Sequence, residues 1–155
     1  MLTHHPMTEA EKFLICDWKY PGEYALYNTA PYAEDLKRRT GFAHPAFIGF
    51  SFYDGGTLIG FTCLWEEEKA VMLGIGVAPE ACGRGYGQRM IQTTCGISAE
   101  RYPGKPLYLE VRTWNKRAVA CYQKAGFIIV GDPFTQNTGL GEGVFYRMVL
   151  NQNSS

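Results

Sequence analysis

Residues 81–90, ACGRGYGQRM, place Gly83, Gly85 and Gly87 at every second position, and further along Asn115 and Tyr122 stand seven residues apart. Glycine lacks a Cβ, so a loop built on it lets the backbone approach a ligand closely and adopt positive φ. Where such a loop opens a helix, the first N–H groups are unpaired, lie at the positive end of the helix dipole and bind phosphate. A tight turn would use the same three glycines, and spacing alone does not choose between the two. A tyrosine hydroxyl is a neutral proton donor that can meet negative charge as it develops on a leaving group. Tyr122 also falls at helical spacing with Ala118 and Ala125, a pattern equally suited to a core.

The loop could not hold a ligand unaided. Two or three charge-assisted hydrogen bonds of about 1.5–3 kcal/mol each only offset an association cost of about 4–15 kcal/mol, whereas micromolar binding requires about −8 kcal/mol net. The preceding run, Leu73 to Pro79, offers further contact. Its Gly74 and Gly76 are expected to weaken regular pairing and invite a bulge, freeing backbone groups for an amide-bearing ligand to add as a strand. Other nucleotide loops fit poorly, because the chain has no GxxxxGK[ST] and its glycine spacing is not GxGxxG behind a leading βαβ unit.

The elements that must position these residues read as one mixed-sheet α/β domain over 1–150, with 151–155 as a disordered tail. Thr8-Glu9-Ala10-Glu11 has the form of a capping box and starts a first helix; a short second helix is expected over 32–39. Two β-rich runs in 46–65 flank Asp54-Gly55-Gly56, a hairpin signal, and 70–79 adds a third strand. A helix over 86–101, with Met90, Ile91, Cys95 and Ile97 as its apolar stripe, ends at Pro103-Gly104. The apolar run 107–114, interrupted by Glu110 and Arg112, reads as a central strand parallel to its predecessor, because a crossover helix separates them. Asn115 caps the next helix, Gly126 closes it, and two strands follow.

Lys plus Arg and Asp plus Glu are both 15, so no net field draws the chain to nucleic acid or to a membrane surface. The five cysteines lie far apart with no metal-ligand spacing, which predicts reduced thiols and no metal. With no signal-peptide pattern at the start, a cytoplasmic location is expected.

An amide arm ending in a pyrophosphate describes coenzyme A, and here the sequence resembles the GCN5-related N-acetyltransferases (GNAT). Ile75-Gly76-Val77-Ala78-Pro79 followed by Cys82-Gly83-Arg84-Gly85-Tyr86-Gly87 is similar to the family's I-x-V-x-P strand and glycine loop, with Cys82 where the family has Arg or Gln. Asn115, Ala118, Tyr122, Gly126 and Phe127 match its later motif, N-x-x-A-x-x-x-Y-x-x-x-G-F. The likeness covers about residues 46–150 and only loosely the first 45.

The resemblance implies a GNAT-like fold, antiparallel N-terminal strands then β-α-β-α-β-β, and acetyl-CoA as cosubstrate. It assigns Ile75, Gly76 and Val77 to the pantetheine arm. The loop from Cys82 through Gly83, Arg84, Gly85, Tyr86, Gly87 and Gln88 would hold the pyrophosphate, Asn115 would bond the pantetheine, and Tyr122 would act as acid. Arg84, Lys116, Arg117 or Lys124 could meet the adenosine phosphate, though a solvated helix face uses such residues as well.

An attacking amine must lose protons. A lysine-like amine at about 10.4 requires about 4 kcal/mol of help near neutral pH, an α-amino group at about 7.7–8.0 under about 1. Glu110, which interrupts an apolar strand, is the favoured base; Glu66 to Glu68, in a turn, are alternatives. Cys82 at a helix start could carry a lowered pKa and an acyl group, but His4, His5 and His44 form no evident dyad with it. Trp18 and the tyrosines at 20, 24, 27 and 32 could wall an acceptor pocket or pack a core. The expectation is an N-acetyltransferase acting on a primary amine in a ternary complex, with a homodimer admitted as its assembly. A non-catalytic acyl-CoA-binding or sensor module and a phosphate-loop nucleotide protein are the alternatives.

Overall fold

Gly55 and Gly56, at φ 59° and 89°, turn the chain between β2 (Phe47–Asp54) and β3 (Thr57–Glu66), supplying the positive φ that a tight hairpin requires. The structure, a computed structural model, describes residues 1–138 and 141–151, the Leu26 side chain apart. Ahead of the hairpin come β1 (Leu2–Pro6), α1 (Glu9–Cys16) and α2 (Tyr32–Arg38). After it come β4 (Val71–Val77), α3 (Tyr86–Arg101), β5 (Leu107–Arg112), α4 (Lys116–Lys124), β6 (Phe127–Thr138) and β7 (Gly141–Leu150). The strands form one sheet in the order β1-β2-β3-β4-β5-β7-β6, antiparallel except between β4 and β5.

Strand alternation divides the side chains between two faces. Phe50 and Phe52 of β2, Leu64, Leu73, Leu107, Leu109 and Met148 pack with Met90 and Ile91 of α3, and α4 adds Ala118, Val119 and Tyr122. The alternate residues of β2, Ser51 and Tyr53, bond Glu11 of α1 on the other face, beside a second cluster of Ile15, Cys16, Tyr32 and Phe42. α3 also buries Thr94 and Ser98, with Thr94 hydroxyl-bonded to Thr62 at 2.6 Å, so its inner face is more polar than its apolar stripe predicts.

The bulge expected at Gly74 and Gly76 does not form: the β3–β4 register runs unbroken from Gly60↔Val77 to Glu66↔Val71. A Cβ on Gly74 would stand 2.6 Å from Cys63 Sγ, and one on Gly76 would run into the Phe61 ring. These glycines let the large side chains of β3 lie across β4. The freed edge is on the other side. β4 and β5 pair only at Val71↔Leu107 and Met72↔Tyr108, and the strands then part, while β5 stays paired with β7 through Arg112. Asn151 donates its N–H to Gly126 O at 2.9 Å; the rest of the expected tail, 152–155, lies outside the described residues.

Candidate active site

The parted ends of β4 and β5 open toward the glycine loop. Ala78 is pinned by its N–H to Ile59 O at 2.8 Å, a single turn over Pro79–Ala81 follows, and Cys82 to Gly85 lead into α3. Gly83 and Gly85 both have φ 80°, and no atom lies within 4 Å of where a Cβ would stand on either. Backbone conformation and open space, rather than crowding by the protein, thus mark these positions. No side chain caps α3; its N-cap is Gly85 itself. The start of α3 lies against α4, since a Cβ on Gly87 would sit 3.5 Å from Cys121 Sγ. An uncapped helix start with room above it fits a diphosphate, and a strand edge that β5 leaves unpaired fits an amide arm.

Side chains of the loop do other work. Tyr86 Oη donates to Asp54 Oδ2 at 2.5 Å, tying the start of α3 to the hairpin turn, and that bond raises the tyrosine pKa. Cys82 Sγ points at the Ala78 and Val77 carbonyls, 3.5 and 3.8 Å away. Burial pushes this thiol up, against the pull of Arg117, so the lowering that an acyl-cysteine route needs does not occur. The Arg117 guanidinium lies 5.1 Å from the Tyr24 ring centre.

Asn115 is only 9% exposed: Oδ1 accepts the Ala118 N–H at 3.2 Å, capping α4, and Nδ2 donates to Tyr27 Oη at 2.9 Å. Tyr27, Tyr24 and Trp114 form a ring cluster with centroids 5.5–6.4 Å apart. Across the opening, Tyr20 Oη donates to Val77 O at 2.8 Å. The segment from Tyr20 to Tyr27 therefore bridges the ends of β4 and β5. Tyr32 does not join it; it is buried under α1, with its hydroxyl on Glu9.

Tyr122 packs partly buried against the core, its ring 6.4 Å from Phe127. Burial, with Cys121 and Tyr27 adding, raises its pKa far above the ordinary phenol range, so the hydroxyl keeps its proton. Among the described residues no protein group bonds that hydroxyl. Glu110 lies on the opposite face of the sheet, alternating with the core residues Leu109 and Val111. It accepts from Gln136 Nε2 at 3.3 Å and sits opposite Arg147 in the β5–β7 register. The expected acid and base are thus not in contact; they lie on opposite faces of the sheet. Glu66 pairs with Lys105 at 2.8 Å and Glu67 accepts from Tyr108 Oη at 2.8 Å, both at the far end of β4, about 20 Å of strand from the loop. Arg112, which the sequence pattern marks only as an interruption, is 9% exposed with its guanidinium 4.8 Å from the centre of the Phe145 ring.

Among the described residues no helix is long and apolar enough to cross a membrane. Residues 12–127 match the sequence profile of the Acetyltransferase (GNAT) family. A 5-NmdU N-acetyltransferase of Pseudomonas phage PaMx11 is 35% identical over 80 residues, 50% of this chain and 54% of the relative. The N-alpha-acetyltransferase RimI of Mycobacterium tuberculosis is 33% identical over 104 residues, 62% of this chain and 60% of that one. The chain therefore spans less than two thirds of either relative's length. In three dimensions it superposes on spermidine N-acetyltransferase from Vibrio cholerae in complex with CoA and spermine, with TM-score 0.75 and 21% identity, over 98% of this chain and 96% of that one. The match to the family profile covers most of the chain, and the chain belongs to the acetyltransferase (GNAT) family.

Proposed function

We propose that the protein is an acetyl-CoA-dependent N-acetyltransferase in which a primary amine attacks the thioester directly. The parting of β4 from β5 beside the uncapped start of α3 carries this reading. The names of both sequence relatives, and the CoA held by the Vibrio cholerae structure, support it. The β4 edge at Ile75, Gly76 and Val77 would pair with the pantetheine arm, the N–H groups of residues 83–88 would meet the pyrophosphate, and Asn115 Nδ2 would offer its second proton to the arm. Acetyl-CoA supplies an activated acyl group on a good leaving thiolate. Tyr122, held protonated, donates to the sulfur as its charge grows. Glu110, directly or through water, accepts the proton the amine loses, so the proton gained at sulfur is matched by one lost at nitrogen. A cytoplasmic location is supported by the five cysteines, all unpaired.

Calorimetric titration with acetyl-CoA, together with release of free CoA across a panel of amines, tests this. Tyr122→Phe should lower kcat about 100-fold with acetyl-CoA affinity unchanged. Because the Tyr122 pKa is raised, wild-type kcat should show no loss from its ionisation up to about pH 10. An unaltered kcat removes Tyr122 from the mechanism. Tight binding without turnover of any amine favours the sensor module, and ATP or NAD displacing CoA favours a nucleotide loop.

A further inference from the structure

Arg112 is a mostly buried cation with no direct ion-pair partner among the described residues. It is nine-tenths buried, with its guanidinium against the Phe145 ring and close enough to Tyr27 to favour ionisation of that hydroxyl, yet among the described residues it forms no hydrogen bond and no ion pair. No buried polar atom lacks a partner among the described residues, so the unbonded guanidinium nitrogens keep a path to solvent. Room has been made for the group: a Cβ on Gly143 would run into Arg112 Nη1. Glu110, on the same face two residues away, does not bond it directly, so the guanidinium fork stays open to an incoming anion.

Its position says which anion. Arg112 lies at the end of β5 where β4 has parted, on the same face as Glu110 and two residues from it, so their Cα atoms are about 7 Å apart. An amine and a carboxylate a few bonds apart can span that distance, the amine toward Glu110 and the carboxylate on the guanidinium fork. Across the strand pair Arg147 stands opposite Glu110 and over the Tyr108 ring at 3.9 Å, whereas Arg112 stands opposite Phe145, so Arg112 is the charge left to be matched. One cation suits a monoanion; a phosphate dianion would remain half compensated, and a polyamine would be repelled.

We propose that Arg112 selects the acceptor by binding a carboxylate close to its reacting amine, making the substrate class amino acids or other amines that carry a carboxylate. This rests on the acetyltransferase reading above. The test measures CoA release with free amino acids (α-carboxylate), aspartyl and glutamyl peptide amides (side-chain carboxylate), amino-acid carboxamides, aminomethylphosphonate and spermidine. Wild type should favour one of the two carboxylate sets over the carboxamides by about 10- to 100-fold in kcat/KM, mostly through KM. Arg112→Gln should bring that ratio near one, and Arg112→Lys, which keeps the charge but not the fork, should restore part of it. Because each ratio is taken within one variant, loss of folded protein cancels. A wild-type ratio near one, a ratio unchanged in Arg112→Gln, or aminomethylphosphonate or spermidine as best acceptor would overturn the proposal. Free amino acids and the acidic peptide amides are also titrated calorimetrically into wild type and Arg112→Gln, with and without CoA. No difference between the two proteins overturns the Arg112 assignment, whereas failure of acetyl-CoA itself to bind overturns the acetyltransferase reading instead.

Discussion

The starts of α1 and α3 face the same problem, a set of backbone N–H groups with no partner inside the helix, and meet it in opposite ways. At α1 the chain supplies side-chain partners of its own. Thr8 Oγ1 accepts the Glu11 N–H at 3.2 Å, and Glu11 Oε1 accepts the Thr8 N–H at 2.9 Å. The same carboxylate takes Ser51 Oγ at 2.7 Å and Tyr53 Oη at 2.5 Å and lies 2.9 Å from His5 Nε2, locking α1 to β1 and β2. At α3 the chain supplies no side chain at all and leaves two glycines at positive φ under open space. Filled donors stabilise the fold; donors left bare are available to a ligand.

Removing the carboxylate that fills these donors should have the largest effect. Burial works to raise the Glu11 pKa, and hydrogen bonds from Tyr53, Thr8, Ser51 and His5 overcome it, bringing it from 4.5 to about 2. A folded-state pKa below the unfolded one means stability that is fully present above about pH 5 and is lost as pH falls through 4.5 toward 2, about 3 kcal/mol in all. Glu11→Ala should cost about 3 kcal/mol at pH 7, a drop in Tm of roughly 6–12 °C, and should remove that acid limb from denaturant titrations. Acetyl-CoA affinity of the folded fraction should not change. An acid limb identical in wild type and variant would show that the α1 lock contributes no such stability.

Gly85→Ala sharpens the contrast from the other side. The methyl meets no atom of the protein, so only the left-handed backbone, about 1–2 kcal/mol, weighs on stability. The same methyl takes up part of the open space at the start of α3 that the diphosphate would fill, and acetyl-CoA affinity should fall at least about 10-fold by calorimetry. Undiminished affinity would reduce the loop to a tight turn.

What could be read from the sequence follows the same division. The capping box, the Gly55-Gly56 hairpin and the Asn115 cap were legible because each is settled by residues a few positions apart. β1 was not, since Leu2 to Pro6 lacks apolar alternation and is held by its pairing with β2. Gly74 and Gly76 suggested a bulge because their reason, the Phe61, Cys63 and Trp65 side chains lying across them, belongs to the neighbouring strand. In the candidate site, the loop, Asn115 and Tyr122 sit on contiguous motifs and could be named from them. The burial of Arg112, the direction of the Cys82 shift and the two tyrosines bridging β4 and β5 depend on tertiary packing that no local pattern encodes.

Asn115 stands between the two cases, because one end of its amide caps α4 while the other reaches Tyr27 and the opening. Asn115→Asp separates the two ends. Aspartate caps about as well as asparagine, so stability should stay within about 0.5 kcal/mol of wild type, whereas Asn115→Ala should cost about 1 kcal/mol. Both variants lose the Nδ2 donor and should bind acetyl-CoA about tenfold more weakly, the value of one hydrogen bond. If both bind it as wild type does, Asn115 is a cap of the same kind as Thr8, and the start of α3 and the β4 edge are left to hold the ligand.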